Sequence, residues 1–136
     1  MKALLTTIAF LVHLLSLGQP TVPTNVAPSD PEIRRLIIGT WGGDRNDRHA
    51  RLTYATNGTA TSTNWVTGKQ RLNATPYAES VWEVRDGVLV STVTKTGDVR
   101  LCPLGTVWRT RVISINETNA VGVTQVGTTN TMDRIK

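Results

Sequence analysis

Two dipeptides, Asn57-Gly58 and Asp86-Gly87, constrain this chain more than any other feature. Both are tight hairpin signals, because Asn, Asp and Gly tolerate the positive φ that such turns demand. Trp82 and Val84 precede Asp86-Gly87 on one face, with Glu83 and Arg85 on the other, and Val88-Leu89-Val90 follows it. A side-chain period of two is the mark of a strand. Further breaks fall at Thr96-Gly97-Asp98, from Asn116 to Asn119, and at Gly127. Strands are expected at Arg51 to Thr56, Thr59 to Val66, Ser80 to Arg85 and Val88 to Lys95. Others are expected at Val99 to Cys102, Thr106 to Ile115, Ala120 to Val126 and Thr128 to Ile135. Thr59 to Val66 is very polar and reads as an exposed or edge strand. Gly42 to His49 reads as a charged loop, and Gly68 to Glu79 as a long connection. Short links join sequential strands to their neighbours. The expected fold is therefore all-β, an antiparallel up-and-down meander of about eight strands. Closing it into a small barrel removes the free edges that invite aggregation.

The N-terminal part has three signals. Lys2, the apolar run Ala3 to Leu17 and the small residues Ser16 and Gly18 form the pattern of a signal peptide over 1–18. The run is shorter than the roughly 20 residues of a bilayer-spanning helix, so an uncleaved anchor is the weaker reading. Export, to a periplasm or the outside, follows as the expectation. Residues 19–30, with Pro20, Pro23 and Pro28, read as a flexible leader. Ser29-Asp30-Pro31-Glu32 then reads as a helix start, with Ser29 or Asp30 as the cap. Ile33, Leu36 and Ile37 share one face, and Gly39 ends the helix. So short a helix cannot stand alone and must plug something, the end of a barrel being the natural place. The barrel domain is placed at 31–136.

Gly39-Thr40-Trp41 leaves this helix and opens the strand series. Later segments are Tyr54 to Gly58, Trp82 to Val90, Arg111 to Ile115 and Met132-Asp133-Arg134. Together they resemble the outline of small exported bacterial lipocalin-like domains, barrels of the calycin type. The resemblance implies that Trp41 packs across the closed end with Arg134 over its ring. Such a cation–π contact contributes about 0.5–2 kcal/mol. The chain is shorter than a typical lipocalin, so the barrel is either filled by its own side chains or holds one small ligand.

Composition narrows the function. The formal charge is +5, but the Arg residues are scattered among acids. Nucleic-acid binding favours a clustered basic face, so no nucleic-acid partner is expected. Cys102 is the sole Cys and forms no intrachain disulfide; it reads as a small buried residue. Asp44 to His49 offers oxygen and imidazole groups, but its spacing fits no Ca²⁺ loop, and no metal site is expected. There is no nucleophile elbow, phosphate loop or paired-carboxylate pattern, so neither an enzyme nor a cofactor is expected.

Two groups of candidate ligand-binding residues remain. Tyr54, Trp82 and Trp108 either line a pocket or are plain core. Period two puts Arg109, Arg111, Ile113 and Ile115 on one face of their strand. Facing inward, Arg109 and Arg111 would suit an acidic-headed, amphipathic ligand. Facing outward, they are solvated or bridge to Glu83. The expected function is thus an exported, non-catalytic barrel that binds a small apolar or amphipathic molecule. The alternative is a structural or protein-interaction module of the cell envelope, with Thr59 to Val66 open to strand addition.

Overall fold

The computed structural model describes residues 26–45, 48–66, 77–100 and 102–136. The expected signal peptide at 1–18 and the first part of the leader lie outside the described residues. One helix, α1 (Asp30–Ile37), precedes the strands β1 (Gly39–Arg45), β2 (Arg48–Tyr54), β3 (Thr59–Val66) and β4 (Ala78–Arg85). They are followed by β5 (Val88–Thr96), β6 (Val107–Ile115), β7 (Asn119–Thr124) and β8 (Thr129–Ile135). Each strand pairs antiparallel with the next, and β8 returns to β1, which closes the barrel. No helix among the described residues is long and apolar enough to cross a membrane.

The strand number matches the expectation, but its membership differs. Gly42 to His49, read as a loop, is mostly strand: β1 and β2 pair from Gly39↔Tyr54 to Arg45↔Arg48. The Gly pair hid this strand, since Gly has low strand propensity. Conversely, Val99, Arg100 and Cys102 lie outside the barrel strands. Val99 and Arg100 lie in a turn, where the Cys102 amide donates to the Asp98 carbonyl at 3.0 Å. The Asp98 carboxylate there accepts from the Arg100 amide at 2.9 Å. β3 is also not a free edge where its ladder to β4 runs: over Ala60–Ser62 it is paired on both sides.

The two hairpin signals take different forms. Asp86 and Gly87 both have positive φ, 52° and 73°, and form the two-residue turn that joins β4 to β5. At Asn57-Gly58 only Gly58 does so, with φ 81°. Asn57 Oδ1 accepts the Thr59 amide at 3.1 Å and its hydroxyl at 2.7 Å, which draws the link out to Ala55–Gly58. This side-chain acceptor holds Asn57 out of the left-handed conformation of the tighter turn.

The helix plugs one end of the barrel and packs against β4 and β6. Its apolar face, Ile33, Leu36 and Ile37, is buried with Trp41, Tyr54, Val84, Leu89, Val112 and Ile115. Neither Ser29 nor Asp30 caps the helix with its side chain. The Asp30 carboxylate instead accepts the amides of Asp86 at 3.0 Å and Gly87 at 2.7 Å, and so ties the helix to the β4–β5 turn. Arg34 donates to the Val84 carbonyl and Arg35 pairs with Glu117 at 3.2 Å, which adds two further ties.

Candidate functional site

Away from the helix, the described residues enclose a space inside the barrel. There residues from β2 through β8 surround a cavity of about 440 Å³. This volume lies within the usual range for small-molecule sites. Leu52, Tyr54, Ala60 and Leu89 form the apolar floor against the core. Above it the inward positions of successive strands carry Ser62, Ser80, Ser91, Thr110, Thr124 and Asn130. Trp108, Val126 and neighbouring residues of the β7–β8 link border the mouth. The link is held in place by the Gln125 amide, which donates to the Arg109 carbonyl at 3.0 Å.

The alternation along each strand explains these positions. Ala78, Ser80 and Val84 on β4, and Leu89, Ser91 and Val93 on β5, are all buried. Sequence reasoning passed over Ser80 and Ser91 because short polar side chains read as outward-facing. The available signal was phase: Ser80 has the parity of Trp82 and Val84, and Ser91 that of Leu89. On β6 the phase changes. A bulge between Val112 and Ser114 leaves Ile113 exposed and Ile115 buried. The four residues Arg109, Arg111, Ile113 and Ile115 therefore do not share a face.

The sequence candidates separate accordingly. Tyr54 and Trp108 line the cavity, at its floor and mouth. Trp82 is not among the described lining residues. Its indole N–H donates to the Ala55 carbonyl at 3.2 Å and the Thr59 carbonyl at 3.0 Å, so it staples the β2–β3 link. Its ring meets Tyr54 edge-on, with centroids 5.8 Å apart. Arg109 is exposed and borders the cavity. Arg111 is exposed and borders a separate hollow of about 430 Å³ beside Asp30, Asp86 and Gly87. Glu83 pairs with Arg85 at 3.1 Å. Cys102 is buried against Ala78 and Val93.

The electrostatics of the cavity follow from this lining. Among its described lining residues the ionisable groups are Tyr54 and Arg109. Burial pushes the Tyr54 phenol up to about 12, so it is neutral at any physiological pH. Among the described residues, no group hydrogen-bonds to the side chains of Tyr54, Ser62, Ser80, Ser91, Thr110 or Asn130. Their polar atoms are left to the cavity. Elsewhere in the described residues, no three His, Cys, Asp or Glu side chains come together as a metal site would require.

At the closed end, Trp41 and Arg134 are directly paired across β1 and β8. Arg134 Cζ lies 4.4 Å from the centroid of the Trp41 ring. These two side chains serve the plug and take no part in the cavity lining. Comparison of the chain with protein-family models and with curated proteins finds no match to either.

Proposed function

We propose that this chain is an exported, non-catalytic barrel of the lipocalin-like type, which binds a small, largely apolar or amphipathic molecule in its interior. The observation that carries the reading is the cavity itself: a space of about 440 Å³ inside the barrel, next to the core that the helix covers. A fold alone does not specify a function. The distribution of packing is more informative: the larger core cluster lies under the helix, a smaller one joins Ala78, Val93 and Cys102, and hydroxyl groups line the cavity. Export rests on the Lys2 and Ala3 to Leu17 pattern, and the lipocalin-like assignment on the short helix, Gly39-Thr40-Trp41 and the strand series. The described lining brings no nucleophile together with a general base, which favours a binding role.

Thermal unfolding of the full chain in the dialysable small-molecule extract of the producing organism tests this reading. A ligand that binds only the folded state raises the midpoint by mass action. The midpoint is expected to rise for the native chain and not for Ser91→Leu, whose larger side chain occupies the cavity. An equal response of both contradicts binding in the barrel.

A second reading is a protein-interaction module. It is favoured by the exposed apolar residues at the end away from the helix, Tyr77, Val99, Leu104, Trp108 and Val126. Exposed apolar clusters at one end of a small domain mark contact surfaces. A partner chain retained through these residues, with the cavity empty, would support this reading over the first.

A further inference from the structure

We propose that the cavity selects an uncharged ligand, one that presents several hydroxyl, carbonyl or amide groups around a compact apolar body. This deepens the ligand-binding reading above and rests on it. The acidic-headed ligand expected from Arg109 and Arg111 is a different class, and the geometry separates the two.

The first ground is the lining. Tyr54, Ser62, Ser80, Ser91, Thr110 and Asn130 come from six different strands, β2, β3, β4, β5, β6 and β8. They converge on one space, and no described residue satisfies their side-chain polar atoms. Ser80 and Ser91 are more than nine-tenths buried, at 7% and 8% exposure, so bulk water reaches them only through the cavity. None of these atoms is a buried orphan, so water in the cavity can reach them, and a ligand that displaces that water must replace its hydrogen bonds. A hydroxyl both donates and accepts, and the Asn amide does the same. Such a set matches neutral groups of either kind.

The second ground is charge. Among the described lining residues the one permanently charged side chain is Arg109, which is exposed and borders the cavity, so a ligand carboxylate or ammonium seated deeper, against Leu52, Tyr54, Ala60 and Leu89, would meet no counter-charge there; Arg111 borders the other hollow. A charge taken out of water without a counter-charge is heavily disfavoured. The floor already shows this preference, since burial holds the Tyr54 phenol neutral up to about pH 12. The environment that opposes a phenolate opposes a ligand anion beside it. The third ground is shape. Leu52, Ala60 and Leu89 below and Trp108 at the mouth offer apolar surface for the body of the molecule.

The test is a ligand-observed NMR screen of the full chain with a fragment set of matched size. The set holds equal numbers of neutral polyols, amides and lactones, of carboxylates, and of ammonium compounds. Cavity binders are those lost in Ser91→Leu, with Ser62→Leu as a second filling variant should the first not fold. Neutral fragments are expected to dominate, and to bind at least tenfold tighter than their charged matched partners. Ser80→Ala with Ser91→Ala, which keeps the space and removes two hydroxyls, is expected to weaken them by about 5- to 100-fold. Dominance of carboxylates whose binding falls in Arg109→Gln would overturn the ligand class and leave ligand binding standing. If no fragment loses binding in either filling variant, the ligand-binding reading falls and the class falls with it.

Discussion

Arg134 stands directly across the β1–β8 ladder from Trp41, with its guanidinium carbon 4.4 Å from the ring centroid. The same guanidinium donates to the carbonyls of Leu36 and Ile38, while the Trp41 indole N–H donates to Ile37 at 2.7 Å. A helix leaves its last carbonyls without partners and carries partial negative charge at that end. Here one cation and one indole satisfy three successive carbonyls, so the pair closes the barrel and terminates the helix together. Removing the cation costs both functions. Arg134→Ala is expected to destabilise the fold by about 2–4 kcal/mol, from the lost cation–π contact and the orphaned carbonyls. Arg134→Lys should recover only part of this, since an ammonium lacks the planar fork. Urea unfolding midpoints of the three chains provide the check.

Gly39 is tied to the same pair. Its φ is +124°, and a Cβ there would run into Arg134 Nη1. Gly39→Ala is therefore expected to cost about 1–3 kcal/mol, through backbone strain and displacement of the guanidinium. The effect should be smaller in an Arg134→Ala background, and a double-mutant cycle measures that coupling.

Asp30 holds the helix to the β4–β5 turn by accepting the Asp86 and Gly87 amides. Asp30→Ala leaves both donors without that acceptor, at a cost of about 1–3 kcal/mol. Native-state hydrogen exchange should show faster exchange at Asp86 and Gly87, with the β2–β3 link at Gly58 unaffected. Equal acceleration at both turns would point instead to global loosening.

Tyr54 makes stability depend on alkaline pH. Its phenol is held protonated by burial up to about 12 in the folded chain, against 10.0 ordinarily. The folded state thus keeps a proton that the unfolded state releases earlier. The stabilisation is complete below pH 10 and is lost as pH rises through 12, by on the order of 2 kcal/mol at pH 12. Tyr77 also titrates high, because its hydroxyl donates to Glu79, but it is exposed. Comparing urea midpoints of the native chain and Tyr54→Phe between pH 9 and 12 isolates the buried group. The native chain should lose the advantage and the variant should show no such loss.

The alternation of apolar residues and the Asp86-Gly87 turn made the meander legible in the sequence. Ile33, Leu36 and Ile37 likewise displayed the buried face of the helix. What stayed hidden has local causes. The extra residue that shifts the phase of β6 between Val112 and Ser114 has no turn residue to announce it. Gly42 and Gly43 disguise β1, whose pairing is supplied by β2 and β8 rather than by its own propensity. Ser80 and Ser91 face inward because their neighbours Val84 and Leu89 set the register, not because of any preference of their own. The cavity was therefore harder to read than the plug, since its polar lining looks like surface until the strands are closed.

Native mass spectrometry of the chain recovered from the organism that makes it, beside Ser91→Leu recovered in the same way, tests ligand binding in the barrel most directly. The native chain is expected to carry a small molecule that collisional activation releases, and Ser91→Leu to be bare. Two bare chains, or a partner protein retained equally by both without any small molecule, would contradict a ligand-binding barrel.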